Sequence, residues 1–279
     1  MPTAKRRELP ALRPFLDGLY GKYNKRKFVH PDPLEFLYLY GDVRDREIAG
    51  LVASSLACGR VEQILASVAL ALSRIKKPAR FVREENERGM REIFKGFRHR
   101  FADGNNLAAM LSGAGAAARK HGSLGNAYKK HMDSKKGDAD AALGAFVDEL
   151  LDGASGDAGH LLPHPKKGSA CKRLHLFLRW MVRKDAVDPG GWNGVRPADL
   201  TVPIDVHMHR IARALGMTAR KSADAKAARE ITDAFREISP ADPVKYDFAL
   251  TRFGIHTDMT ERGLYNLCKK EGIPINTGC

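Results

Sequence analysis

The chain has 279 residues, 43% of them hydrophobic, enough apolar material for one large domain or two intimate lobes and too much for a disordered chain. No apolar run approaches the roughly 20 residues that a membrane-spanning helix requires. A formal net charge of +14 points to a polyanionic partner such as nucleic acid, against the plainer reading of a generally solubilising surface.

Residues 1–25 read as a basic N-terminal arm carrying Lys5, Arg6 and Arg7. It lacks a signal-peptide apolar stretch, so a soluble, cytoplasmic protein is expected, nucleoid-associated in a bacterium. The arm either touches nucleic acid or is disordered. Val43 to Ile75 is rich in Ala, Leu, Val and Ile at helical spacing and is predicted as two helices broken near Gly59. Asn106 to Arg119 and Ala139 to Leu151 are Ala- and Leu-rich with few β-branched runs, and are predicted as further helices. The polar stretches His131 to Ala139 and Asp152 to His160 are predicted loops, the second the better hinge. Cys171 to Arg183 puts Leu174, Phe177, Leu178 and Met181 on one helical face. Val206 to Leu215 is the next predicted helix, stopped by Gly216. Asp224 can cap Ala225 to Ile238. Pro243 to Phe253 follows, ended by Gly254.

No convincing strand alternation, GxGxxG, Walker loop, HExxH or internal repeat occurs. The expected fold class is all-α, a two-lobed helical bundle. Its middle lobe covers about 46–160 and its hairpin 161–183, and a second lobe combines 26–45 with 184–279. A monomer is expected. Cys58, Cys171, Cys268 and Cys279 are scattered without a CxxC. They suit reduced, buried thiols better than a disulfide framework or an iron–sulfur cluster, and no cofactor is expected.

Positive charge is unevenly spread. From Leu161 to Arg220 there are 11 Lys and Arg against four Asp, half the total excess in 60 residues, which favours one binding face. At its start, LLPHPKKGSACKRLHLFLRWM (161–181) sets Pro163, Pro165 and Gly168 before an amphipathic helix. This is a helix, a tight hairpin and a second helix that Ser169 can cap. Outward-pointing amides of the second helix, with Lys166, Lys167, Gly168, Ser169 and Arg173, can hold a phosphate. Lys172 lies in the first turn, where the helix dipole and its basic neighbours disfavour the protonated form, as a nucleophilic amine requires. The alternative is that Lys172 is one more phosphate contact.

Asp205 opens the following helix after an apolar run. An ordinary N-cap is the plain reading, and the same carboxylate can also face a cavity while capping. His207, within the first turn, can meet a phosphate. Asp205, His207 and His209 alternate, and residues at i, i+2 and i+4 do not share a helix face, so no metal site is expected. Trp192 and Trp180 are candidates to stack on a base, Trp180 reading more simply as core.

The segment VPIDVHMHRIA (202–212) is similar to the catalytic-aspartate segment of the eukaryotic 8-oxoguanine DNA glycosylases, sharing Pro-x-Asp-x-His. GSACK (168–172) resembles the G-x-x-x-K of the helix-hairpin-helix DNA glycosylase superfamily, whose second helix carries a lysine. The 33 residues between Lys172 and Asp205 exceed the eukaryotic spacing and look more like the archaeal 8-oxoguanine branch; Arg183 to Leu200 fill the extra length. Most of residues 25–275 also resembles a bacterial family related to that superfamily, through HPDPLEFL (30–37), FLRWMVRKDAVDPGGW (177–192) and DPVKYDFALTRFGIH (242–256).

The resemblance implies base-excision repair. The partner is double-stranded DNA with a damaged base, an oxidised purine such as 8-oxoguanine, or with an abasic site. Lys172 and Asp205 are then the catalytic pair of a glycosylase/AP lyase, and Lys166, Lys167, Gly168, Ser169, Arg173 and His207 hold the backbone. The pattern departs from the superfamily in two places. The Gln that fills the gap left by an extruded base is missing from Ser54 to Arg60, leaving Leu56 or Arg60 as the plug, and the hairpin keeps only Gly168 of the usual Gly-x-Gly. Competing readings are a non-catalytic DNA-binding or damage-recognition module and an RNA-binding protein.

Overall fold

Local capping chemistry sets most element boundaries in the computed structural model, which describes residues 6–255 and 259–276. Helix α1 (Arg13–Tyr23) starts with a proline in its first turn, where the missing N–H costs nothing. Asp42 caps α2 (Val43–Ser55), and α3 (Val61–Ser73), α4 (Pro78–Glu84) and α5 (Glu87–Ile93) follow. A small antiparallel hairpin, β1 (Arg98–His99) with β2 (Ala102–Asp103), leads directly into α6 (Gly104–His121). There Asp103 and Asn106 form a capping box, and Gly122 ends the helix at φ 83°. Ser123 caps α7 (Leu124–Ser134) and Asp138 caps α8 (Ala139–Asp152). Helices α9 (Lys172–Val182), α10 (Val206–Ala214), α11 (Ala225–Ile238), α12 (Asp247–Ile255) and α13 (Glu261–Lys270) complete the described residues. The fold class is all-α.

The helices pack in two groups over one continuous hydrophobic core. Helix α6 gathers α4, α5, α7 and α8, while α12 packs with α1, α10 and α13. Helices α2 and α9 lie against each other, and Gly50 lets the Phe177 ring approach the α2 backbone, 3.4 Å from where a Cβ would stand. Residues 6–12 form a 3-10 helix that packs on α11. Leu9, Leu12, Leu16 and Leu19 are all buried. The expectation of an arm over 1–25 is therefore corrected: its described residues are part of the body, anchored by four buried leucines. Lys5 lies outside the described residues.

The loop expected over His131 to Ala139 begins later, because α7 continues to Ser134 with Tyr128 and Met132 on its buried face. At the other end, α12 starts at Asp247; Asp242 to Tyr246 form a turn with Val244 and Tyr246 in the core. Gly254 does not end α12 but seats the His207 ring, which a Cβ would meet at 2.5 Å. Trp180 is fully buried, and Trp192 is buried with its indole N–H donating to Glu47 (2.9 Å), so neither ring is free to stack on a base.

A buried ionic network ties the elements together. Arg179 pairs with Asp188 and Asp247, and Arg183 with Asp185, Asp188 and Asp242. Tyr20 of α1 and Asn24 at its C-terminal cap donate to Asp185. Arg252 reaches Asp32 at 2.8 Å. Among the described residues no helix is long and apolar enough to cross a membrane.

Candidate site at the Lys172–Asp205 pair

After α8 the chain crosses a 3-10 turn (Gly159–Leu161) and a second one (Pro165–Lys167), which His164 caps through its ring nitrogen. Gly168 then reverses the chain at φ 74°, with nothing within 4 Å of a would-be Cβ. A left-handed conformation in open space is what glycine supplies at no steric cost. Lys166, Lys167, Gly168 and Ser169 are all exposed. The Gly168 carbonyl accepts from Ala225 N (3.1 Å), and Ser169 bridges Asp224, so the hairpin is tied to the start of α11. Ser169 Oγ accepts from Cys171 N at 3.2 Å. Cys171 itself is left-handed at φ 45°, a conformation rare for a side-chain-bearing residue, and its buried thiol is pushed up to about 11 by burial. This turn makes Lys172 the first residue of α9.

Asp205 opens α10. Its Oδ1 accepts from the backbone N–H of His207 and Met208, both at 2.9 Å. Oδ2 remains, and Lys172 Nζ sits 3.0 Å from it. One carboxylate thus does both things that the sequence left as alternatives: it caps the helix and meets the lysine. Both side chains reach solvent, Lys172 at 31% and Asp205 at 17% exposure. Burial works against the charged Asp205, but the Lys172 ammonium and the α10 amides outweigh it, so the carboxyl lies below its usual range. Val206 beside it is an exposed apolar residue.

Asp247 belongs to these surroundings and was missed by the sequence reasoning. It is 2% exposed, bonded to Arg179 and close enough to feel both Asp205 and Lys172. Burial, with the Asp205 charge adding to it, pushes its carboxyl up despite Arg179. The visible signal was the second Asp of DPVKYDFAL, which opens a helix whose neighbours are apolar.

The other expected contacts divide. Lys166 stands out at 81% exposure with its Nζ 3.7 Å from Asp148. Arg173 turns inward: it donates to the carbonyls of Ser55 (2.6 Å) and His160. Its guanidinium straps α9 to the end of α2, and the expected phosphate contact is corrected on that ground. His207 is one-third exposed, with Nδ1 held by Glu261 (2.8 Å) and Arg210 (3.0 Å). His209 is buried beside Arg213, so Asp205, His207 and His209 do not converge. Leu56 is fully buried and cannot plug a gap in DNA, whereas Arg60 is exposed at the start of α3.

The charge concentration over 161–220 is also corrected as evidence for one face. Arg179 and Arg183 are in the buried network, Arg196 pairs with Asp199, Arg210 with Glu261 and Arg220 with Asp224. A cavity of about 400 Å³ borders the hairpin, lined by Asp140, Asp148, Lys166, Cys171, His175 and Arg229 among others, but it includes neither Lys172 nor Asp205.

A family model described as "Protein of unknown function (DUF2400)" matches residues 32–256. The chain belongs to this family. The match takes in the hairpin, the Lys172–Asp205 pair and the buried ionic network, and leaves out α1 and α13. No curated protein matches the chain, and no solved structure does.

Proposed function

We propose that this protein is a DNA-repair glycosylase/AP lyase that excises a damaged base, an oxidised purine in the first instance, from double-stranded DNA. The observation that carries the reading is the 3.0 Å contact between Lys172, first residue of the helix after an exposed basic turn, and Asp205, whose carboxylate is fixed by two backbone amides. A base must leave the stack before its glycosidic bond can be attacked. Lys172 gives up one proton, which the departing base takes, and its amine bonds to the sugar C1′ as the C1′–N bond breaks. Ring opening leaves an imine between Lys172 and the sugar. Loss of a C2′ proton then expels the 3′ phosphate by β-elimination. Asp205, held below the usual carboxylate range, is a poor base for the lysine proton and a good fixed charge. Its role is to stabilise the positive charge that develops on the sugar. Lys166, Lys167, Gly168 and Ser169 grip the backbone.

A second reading, a damage-binding protein without catalysis, is favoured by one observation: Leu56 of the Gln-less segment is in the core. Borohydride trapping on abasic-site and 8-oxoguanine duplexes separates the two. A covalent adduct with wild type that disappears in Lys172→Ala is the expected result. An adduct that survives Lys172→Ala, or none with any lesion, overturns the catalytic reading.

A further inference from the structure

The two-residue turn of the β1–β2 hairpin consists of Arg100 and Phe101, and Phe101 is 82% exposed. A single apolar residue on a surface needs no explanation by itself. Phe101 differs in how it is held and in what surrounds it. The hairpin is anchored from beneath: His99 is 4% and Ala102 1% exposed. The His99 ring bonds to Ser67 Oγ (2.9 Å) and the Cys58 carbonyl (3.1 Å). Gly59 is packed under the Arg100 side chain, and Arg100 is left-handed at φ 55°. These contacts fix the hairpin against the turn between α2 and α3, the segment that lacks a plugging Gln.

The Phe101 ring meets His160 edge-on (centroids 6.0 Å apart), Arg173 holds the His160 carbonyl, and Lys172 is the next residue. Arg60, Arg98 and Arg100 are exposed nearby, and no acid stands between Glu92 and Asp103. A rigidly mounted aromatic ring on a basic rim is suited to a duplex, where cations meet phosphates and an apolar wedge enters between bases.

We propose that Phe101 enters the DNA base stack beside the extruded nucleotide and occupies the gap that Leu56 cannot reach. The inference rests on the lesion-binding reading above but not on catalysis. Its test uses a duplex with a non-cleavable tetrahydrofuran abasic analogue and 2-aminopurine next to it, whose fluorescence rises when stacking is disturbed. Wild type should raise the signal. Phe101→Ala should abolish most of the rise and weaken binding to this duplex about 5- to 150-fold, the range expected for a lost base–aromatic stack. Its affinity for undamaged duplex should change less than about twofold, since that is set by phosphate contacts. Phe101→Trp should restore the signal. The side chain is exposed, so these substitutions leave the core alone. A wild-type protein that gives no rise, or a Phe101→Ala protein that matches wild type, overturns the proposal. If the signal depends on Phe101 while borohydride traps nothing, the wedge stands and the lyase reading falls. If trapping needs Lys172 but the signal ignores Phe101, the reverse holds.

Discussion

Asp205 shows why neither of its two roles excludes the other. A carboxylate has two oxygens, and here Oδ1 serves the α10 amides while Oδ2 serves Lys172. The sequence revealed the residue types and their order but could not say that both oxygens are used, because the direction of a side chain follows from how α9 and α10 pack. Arg173 was misread for the same reason: beside Lys172 in sequence, it points to Ser55 and His160. The division of labour at Asp205 gives a clean substitution. Asparagine caps helices about as well as aspartate, so Asp205→Asn should keep the cap and the fold while removing the charge that Lys172 meets. Trapping on an abasic duplex should slow by about 100-fold or more, the scale of losing one electrostatic stabiliser, with DNA affinity changed far less. Equal losses of affinity and chemistry would place Asp205 in binding rather than in catalysis.

At the level of elements, boundaries marked by side-chain caps were legible. Asp224 begins α11 at Ala225 as the sequence predicts, and α8 starts at the predicted Ala139, where Asp138 supplies the cap. Helix α7 was not among the predicted helices: its outer face is charged through Lys129 and Asp133, while its inner face repeats Leu124, Ala127, Tyr128 and Met132. What holds α7 in place is invisible locally. Glu149 on α8 accepts from Lys120 (2.6 Å) and His121 (2.8 Å) at the end of α6, and from His131 (2.8 Å) of α7. Burial works against the charged Glu149, yet the three donors prevail and bring its pKa from 4.5 to about 2. With the folded value below the unfolded one, its contribution to stability is whole above about pH 4.5 and is lost as the pH falls toward 2. Urea midpoints of wild type and Glu149→Gln should therefore differ most near neutrality and approach each other by pH 3. A gap that widens on acidification would contradict this coupling of three helices.

For the whole molecule, periodicity was enough for an all-α fold, but adjacency in sequence proved a poor guide to adjacency in space. The segments 177–192 and 242–256 read as separate marks, and they meet through Arg179, Arg183, Asp242 and Asp247 in one buried network. Arg179 and Arg183 are buried against the carboxylates they meet and are absent from any binding surface, so the count of basic residues in the 161–220 window overstates what nucleic acid can meet. Like Lys184 farther along the basic window, the exposed turn at Lys166 and Lys167 remains open. If DNA docks there, the logarithm of affinity should fall linearly with the logarithm of salt concentration, and each lysine lost should flatten the slope by about one. Arg196 is the matched control: its side chain is 77% exposed, and it pairs with Asp199. Lys166→Ala and Lys167→Ala should flatten the salt dependence together, by about two, while Arg196→Ala leaves it unchanged. A control that flattens the slope as much as the lysines do would move the docking face off the hairpin, and with it the reason for Lys172 and Asp205 to meet a sugar.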